Sequence, residues 1–107
     1  MEINEYQRLA MTTLNKEIPQ KDIIVNACLG LSGEVGEVND LLKKHLFQGH
    51  DLNKEELINE LGDIAWYLAE AATALDVDLE DIFIANIEKL RKRYPGGFTV
   101  DGSINRK

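Results

Sequence analysis

The sequence predicts an all-α protein, a bundle of four helices in one domain. Three observations support this class: apolar residues recur at helical spacing, only two of 107 residues are proline, and alternating strand patterns do not exceed a few residues. A chain of this length forms a single domain with a modest core. We expect the domain to span residues 1–98, and residues 99–107 to form a polar C-terminal tail.

Apolar periodicity and end signals place the four helices in order. They are predicted at about Ile3–Leu14, Ile23–Phe47, Lys54–Leu75 and Leu79–Arg93. Asp22 is a good N-cap for the second helix, and Asn53 caps the third with Glu56 as its capping-box partner. Pro95 and the two glycines after it end the fourth helix. The short loop between the two long helices makes them antiparallel neighbours.

Each long helix carries two acids in the same local pattern of acid, apolar residue, glycine, acid, apolar residue. The pattern occurs at Glu34-Val35-Gly36-Glu37-Val38 and again at Glu60-Leu61-Gly62-Asp63-Ile64. At about 100° per residue, Glu34 and Glu60 fall inside the apolar faces of their helices. Glu37 and Asp63 fall at the edges of those faces. In an antiparallel pair the two sets of acids can face each other at a similar height.

Four carboxylates at the edge of a core require compensating positive charge. Oxygen-only ligands favour Mg²⁺, with Mn²⁺ possible, over zinc or iron. The predicted metal ligands are Glu34, Glu37, Glu60 and Asp63. The alternative is that they are solvated acids on charge-rich helices, but the repetition on two helices favours a metal site.

A basic face and an aromatic residue are candidates for substrate binding. Asn86, Lys89 and Arg93 share one face of the fourth helix and could bind phosphate oxygens. The alternative is that the cations only interact favourably with the C-terminus of that helix. Tyr67 lies on the face of Glu60, where it would contact a sugar or base, or pack in the core. Trp66 points away from the apolar face, towards another subunit or a base.

Three glycines fall within the second predicted helix, at positions 30, 33 and 36. Each costs about 1 kcal/mol relative to alanine in a helix interior. Two explanations remain open: close approach of a ligand beside the acids, or close packing of a neighbouring helix.

The charge balance excludes several classes of partner. The chain has 19 acids against 12 lysines and arginines, a net charge of −7, which argues against binding nucleic-acid polymers or anionic membranes. The sequence has no apolar segment approaching the roughly 18 residues that span a bilayer, and no visible signal peptide. A single cysteine, Cys28, excludes an internal disulfide. We therefore expect a cytoplasmic protein.

The acid motifs and the basic segment resemble those of the MazG-type nucleotide pyrophosphohydrolases, of the all-α NTP pyrophosphatase superfamily. The resemblance rests on residues 33–38, on residues 60–68, and on the segment from Asn86 to Pro95. It implies Mg²⁺-dependent hydrolysis of a nucleoside triphosphate, commonly a dNTP, to the monophosphate and pyrophosphate. It also implies a homodimer or homotetramer whose pocket is completed near the subunit interface.

The resemblance also implies roles for individual residues. Metal ligands fall on Glu34, Glu37, Glu60 and Asp63, and phosphate contacts fall on Asn86, Lys89 and Arg93. Glu34 or Glu37 would orient or deprotonate the attacking water. Two alternatives remain: a related enzyme acting on dUTP, dCTP or phosphoribosyl-ATP, or a non-catalytic helical regulatory module.

Overall fold

A computed structural model describes residues 1–106, and within them the protein contains five α-helices. They are α1 (Ile3–Met11), α2 (Ile23–Phe47), α3 (Lys54–Ala74), α4 (Leu79–Arg93) and α5 (Val100–Ile104), with a 3₁₀ turn at Gln20–Asp22 before α2. The all-α class is confirmed. Lys107, the last residue of the predicted tail, lies outside the described residues. No helix in the described part of the chain is long and apolar enough to cross a membrane.

Local signals explain where these helices begin and end. The Asn53 side chain accepts a hydrogen bond from the Glu56 N–H at 3.1 Å, as predicted for the start of α3. Asp22 occupies the predicted N-cap position of α2, but its side chain makes no capping hydrogen bond, because the preceding turn already holds Asp22 in a helical conformation. The first helix ends earlier than predicted. Thr12 and Thr13 lie just beyond its end, and their hydroxyls donate back to backbone carbonyls of its last turn.

The two long helices pack antiparallel, and cross-helix contacts fix their register. One carboxylate oxygen of Glu34 on α2 lies within 4.8 Å of one carboxylate oxygen of Glu60 on α3. Eight residues earlier on α2, the Asn26 side-chain amide lies 2.8 and 3.1 Å from the two carboxylate oxygens of Glu70, and with its NH₂ group turned towards them it donates to both. Residue numbers fall along α2 as they rise along α3, which confirms the antiparallel prediction. This register brings the acids of the two helices to the same height.

Side-chain hydrogen bonds join α1 to the turn between α3 and α4. The Gln7 side chain accepts from the Leu79 N–H at 2.6 Å. Its amide donates to the Thr73 hydroxyl and to the Val77 carbonyl, each at 3.1 Å. Because all three bonds come from one side chain, Gln7 fixes the position of α1 against α3.

The hydrophobic core of the described chain is small. One cluster, Ala10, Ala69, Ala72 and Leu79, forms its buried centre, where α1, α3 and α4 meet. The Cα radius of gyration is 17.0 Å, whereas a compact domain of this length has about 13 Å. Large apolar side chains remain exposed on α2, on α3 and on α4; examples are Leu29, Leu46, Phe47, Ile58, Phe83, Ile84 and Ile87. With extents of 46 × 44 × 27 Å, the chain is open and flattened, and much of its apolar surface is uncovered.

The predicted tail contains a fifth helix that the four-helix prediction did not include. The Thr99 hydroxyl caps α5 by accepting from the Gly102 N–H at 3.0 Å. A Cβ at Gly102 would lie 2.7 Å from the carbonyl oxygen of Arg93, so glycine permits this close approach. As a result α5 packs against the C-terminal end of α4.

Candidate active site

Three of the four predicted acids converge between the long helices. Glu34 projects from α2, and Glu60 and Asp63 project from α3. One carboxylate oxygen from each lies within 4.8 Å of the others, and all three side chains are half-buried. We call these three residues the acid trio. Such a spacing lets one cation contact all three carboxylates.

The electrostatics of the acid trio favour a bound cation. The hydrogen bond with Glu60, partial burial and the charges of Glu60, Asp63 and Glu37 raise the pKa of Glu34 to about 7. Oε2 of Glu34 is buried and has no hydrogen-bond partner among the described residues. A proton or a metal ion would relieve this repulsion, and an all-carboxylate set of oxygens suits Mg²⁺ or Mn²⁺. The residues present therefore fit the metal that the sequence predicted.

Glu37, the fourth predicted ligand, lies outside the acid trio. It is exposed on α2, one turn beyond Glu34. Its charge nevertheless contributes to the raised pKa of Glu34, so it is close enough to act on the same site. Its role as a ligand stays a prediction.

A cavity of about 410 Å³ opens beside the acid trio. It is lined by Thr13, Glu34, Asp63, Trp66 and Tyr67. Ligand pockets commonly occupy about 300–1,000 Å³, so the cavity is large enough for a small molecule. A larger cavity, about 740 Å³, lies at the loop between α2 and α3, but no member of the trio lines it. The acids therefore mark the smaller cavity as the candidate site.

Two of the cavity residues are Trp66, whose position beside the acids the sequence did not predict, and Thr13, which the sequence did not identify at all. The Trp66 Nε1–H donates to the Ala10 carbonyl at 3.0 Å and to the Thr13 hydroxyl at 2.9 Å. The indole therefore packs on its own chain and does not point towards another subunit, whereas the alternative that Trp66 contacts a base stays a prediction. Trp66 follows Asp63 by three residues, a spacing that could have placed it beside the trio. No sequence signal identified Thr13.

Gly30 explains how Tyr67 reaches the cavity. A Cβ at this position would overlap the ring of Tyr67, whereas a Cβ at Gly33 or Gly36 would meet nothing within 4 Å. The Tyr67 ring is held on its other side by edge-to-face contact with Trp66, with centroids 5.1 Å apart. Helix packing thus accounts for one of the three glycines, and the other two lie on an open face.

Replacing Gly30 by alanine is expected to destabilise the protein by about 1–3 kcal/mol, because the Tyr67 ring must move out of a packed position. Gly33→Ala is the matched control and should stabilise the same helix by about 1 kcal/mol. Urea unfolding of both variants measures the difference. Equal stabilisation by the two substitutions would contradict this explanation of Gly30.

The predicted phosphate-binding residues lie apart from the acid trio. Asn86 and Lys89 are exposed on α4, and Arg93 at its end lines a different cavity. Among the residues described, the cavity beside the trio has no lining residue from α4. A single chain therefore does not bring these three residues to the acids.

Comparison with known proteins places the chain in a family. Residues 26–98 match the MazG nucleotide pyrophosphohydrolase domain, a span that includes most of α2 and all of α3 and α4. The chain is similar to the Gene 37 protein of Mycobacterium phage L5, with 37% identity over 82 residues that cover 73% of this chain and 72% of that protein. No solved structure matches significantly. The chain belongs to the MazG nucleotide pyrophosphohydrolase family.

Proposed function

We propose that this protein is a Mg²⁺-dependent hydrolase that converts a nucleoside triphosphate, with a dNTP as first candidate, to the monophosphate and pyrophosphate. The observation that carries the proposal is the convergence of Glu34, Glu60 and Asp63 in a chain of this family. A role in nucleotide-pool clean-up follows from such a reaction. The cytoplasmic location expected from the sequence stays a prediction.

The acid trio would hold the metal, with Glu37 as a fourth ligand. Bound there, Mg²⁺ would neutralise phosphate charge and help to orient the triphosphate for in-line displacement. The neighbouring Tyr67 lines the same cavity, and its hydroxyl can donate a hydrogen bond to a substrate oxygen. These residues account for binding at the phosphate end of a nucleotide.

The chemical step requires a base for the attacking water. The water oxygen forms a bond to the α-phosphorus, and the bond from that phosphorus to the bridging oxygen of the β-phosphate breaks. The water proton passes to a carboxylate, and pyrophosphate leaves with the bridging oxygen. Glu34 and Glu37 are the candidate bases; Glu34 lines the cavity, and Glu37 is one turn away on the same helix.

The proposal is tested by measuring pyrophosphate release from a panel of NTPs and dNTPs, including dUTP and dCTP, and from phosphoribosyl-ATP. We expect turnover with Mg²⁺ or Mn²⁺ and none with excess EDTA. Turnover that survives EDTA would contradict the metal requirement. Nucleotide binding without turnover on every substrate would instead indicate a non-catalytic regulatory module.

Glu37→Gln is expected to lower kcat by about 10²-fold, since it removes a candidate base or an outer ligand of the site. Because the acid trio remains intact, the affinity for a first Mn²⁺ should change by only a few fold. Kinetics and Mn²⁺ binding by electron paramagnetic resonance measure the two effects. Glu88→Gln removes an exposed acid from α4 and serves as the control. An unchanged kcat in Glu37→Gln would remove this residue from the mechanism.

We also propose that the protein acts as a homodimer or homotetramer. The open, flattened chain leaves large apolar side chains exposed, and association of copies would bury them. It would also allow Asn86 and Lys89 of one copy to approach the acids of another. Sedimentation equilibrium should give a multiple of 12.1 kDa. A folded, fully active monomer at all concentrations would contradict this.

A further inference from the structure

The indole of Trp66 is held by the end of α1. Its one N–H is shared between two acceptors, the Ala10 carbonyl at 3.0 Å and the Thr13 hydroxyl at 2.9 Å. The Thr13 hydroxyl in turn donates to the same carbonyl at 2.8 Å. We call Ala10, Thr13 and Trp66 the α1 clamp. Because the three hydrogen bonds of the clamp restrain one another, the plane of the indole is fixed.

The early end of α1 makes the clamp possible. In a helix that continued to Leu14, the Ala10 carbonyl would accept from the Leu14 N–H. The helix instead ends at Met11, and the Leu14 N–H donates to the Met11 carbonyl at 3.2 Å. The last carbonyls of a helix need acceptor partners from elsewhere, and the Ala10 carbonyl finds them in Thr13 and Trp66. The end of α1 therefore has a use in the fold of the candidate site.

The Trp66 indole in turn confines the ring of Tyr67. The two rings meet edge to face, with centroids 5.1 Å apart and an angle of 87° between their planes, a directional contact. On its other side the Tyr67 ring lies so close to the α2 backbone at Gly30 that a Cβ there would overlap it. The ring is therefore held from two sides, at the cavity that it lines together with Glu34 and Asp63.

We propose that Trp66 and Thr13 are positioning residues of the active site, which act on the substrate through the hydroxyl of Tyr67. This rests on the proposed function, in which that hydroxyl donates to a substrate oxygen. A contact group displaced by about 1 Å can lower a rate by about 10²-fold, and residues behind it keep it in place. Thr13 and all of α1 lie outside residues 26–98, the span that matches the family domain. The clamp thus adds an N-terminal segment to a site whose acids come from α2 and α3.

Thr13→Val removes the hydroxyl from the clamp and keeps the size of the side chain. It should lower kcat/KM for nucleotide hydrolysis by about tenfold, and Thr13→Ser, which keeps a hydroxyl, should restore most of the loss. Thr12→Val is the matched control, because the Thr12 hydroxyl also donates to a backbone carbonyl, that of Leu9 at 2.6 Å, which is not a partner of Trp66. Its kcat/KM should change by less than about twofold. Full kcat/KM in Thr13→Val would overturn the proposal.

A double-mutant cycle separates positioning from a general loss of stability. Trp66→Phe keeps an aromatic ring beside Tyr67 but removes the N–H that binds the clamp, and it should also lower kcat/KM by about tenfold. If Trp66 acts through the Tyr67 hydroxyl, the same substitution should cost less than about twofold in a Tyr67→Phe protein. Losses that simply multiply in the double variant would overturn the proposal. Losses that differ between bases would do so too, since they indicate direct contact of Trp66 with the base.

The clamp can also be observed without metal or nucleotide. Trp66 is the single tryptophan of the chain, so its indole N–H gives one resonance in a nitrogen-correlated NMR spectrum. In Thr13→Val this proton should exchange with solvent several times faster than in the wild-type protein, and in Thr12→Val at an unchanged rate. Equal exchange in all three proteins would contradict the clamp.

A binding measurement distinguishes failure of this proposal from failure of the hydrolase proposal. If the wild-type protein turns over no nucleotide, the same cycle is measured by calorimetry with Mn²⁺ and a triphosphate whose α–β bridge cannot be hydrolysed. A loss of affinity in Thr13→Val that disappears in the Tyr67→Phe background would support the positioning role although the hydrolase proposal had failed. Turnover in the wild-type protein with independent losses would retain the hydrolase and remove the positioning role. Absence of binding by the wild-type protein would overturn both.

Discussion

Glu60→Gln is expected to lower kcat/KM for nucleotide hydrolysis by about 10²–10³-fold. Glutamine keeps the size and hydrogen-bonding capacity of the side chain but removes one of three negative charges that would hold the metal. Electrostatic contacts that stabilise developing charge in an active site carry losses of about this size when one is removed. Pyrophosphate release at a series of Mg²⁺ concentrations measures the effect.

The Mg²⁺ dependence separates a ligand from a residue with only a structural role. If Glu60 is a ligand, the variant needs a higher Mg²⁺ concentration for half-maximal activity than the wild-type protein. Glu55→Gln is the matched control, an exposed acid in the first turn of the same helix, and should retain nearly full activity. A Glu60→Gln protein with unchanged kcat/KM would remove the acid trio from the mechanism, whatever its stability.

The acid trio could be predicted because helical periodicity fixes which residues share a face. A short loop then sets the register of two antiparallel helices, which predicts that the acids of one helix face those of the other, Glu34 and Glu60 among them. Periodicity does not give the rotation of each helix about its axis. For that reason the sequence could not show that Asp63 joins the trio while Glu37 stays at its exposed edge.

Contacts between segments that are distant in the chain could not be predicted from the sequence. In the sequence, Glu70 is one more acid of a charge-rich helix. In the structure its side chain is fully buried, and that burial raises its pKa. The Asn26 amide provides its hydrogen bonds from α2. The hydrogen-bond partners of Trp66, Ala10 and Thr13, likewise lie more than 50 residues away in the chain. The helix α5 has only five residues, too few for a periodic pattern to be seen.

Without metal, the protein is expected to lose stability as the pH rises from about 4.5 to about 7. Glu34 has an ordinary pKa of 4.5 and a pKa of about 7 in the fold, because of Glu60, burial and the nearby charges. Between these values the folded protein holds a proton that the unfolded chain has released. Raising the pH removes that proton and restores the repulsion. Thermal melts in EDTA across this range should show a falling Tm that levels off above it.

Glu34→Gln should flatten this pH dependence and raise the Tm of the metal-free protein above pH 7, while weakening Mg²⁺ binding. In the wild-type protein, Mg²⁺ should raise the Tm more at pH 8 than at pH 5, because the metal competes with the proton for the same carboxylates. The pKa of Glu70 is raised too, so this residue contributes to the same loss of stability at higher pH. Glu70→Gln is measured alongside to determine how much of the pH dependence of the Tm comes from Glu70. If Glu34→Gln left both the pH dependence and the Mg²⁺ response unchanged, the acid trio would be neither proton-sharing nor metal-binding. Loss of the Mg²⁺ response with a more stable metal-free fold would establish that these carboxylates are kept together for the metal at a cost in stability.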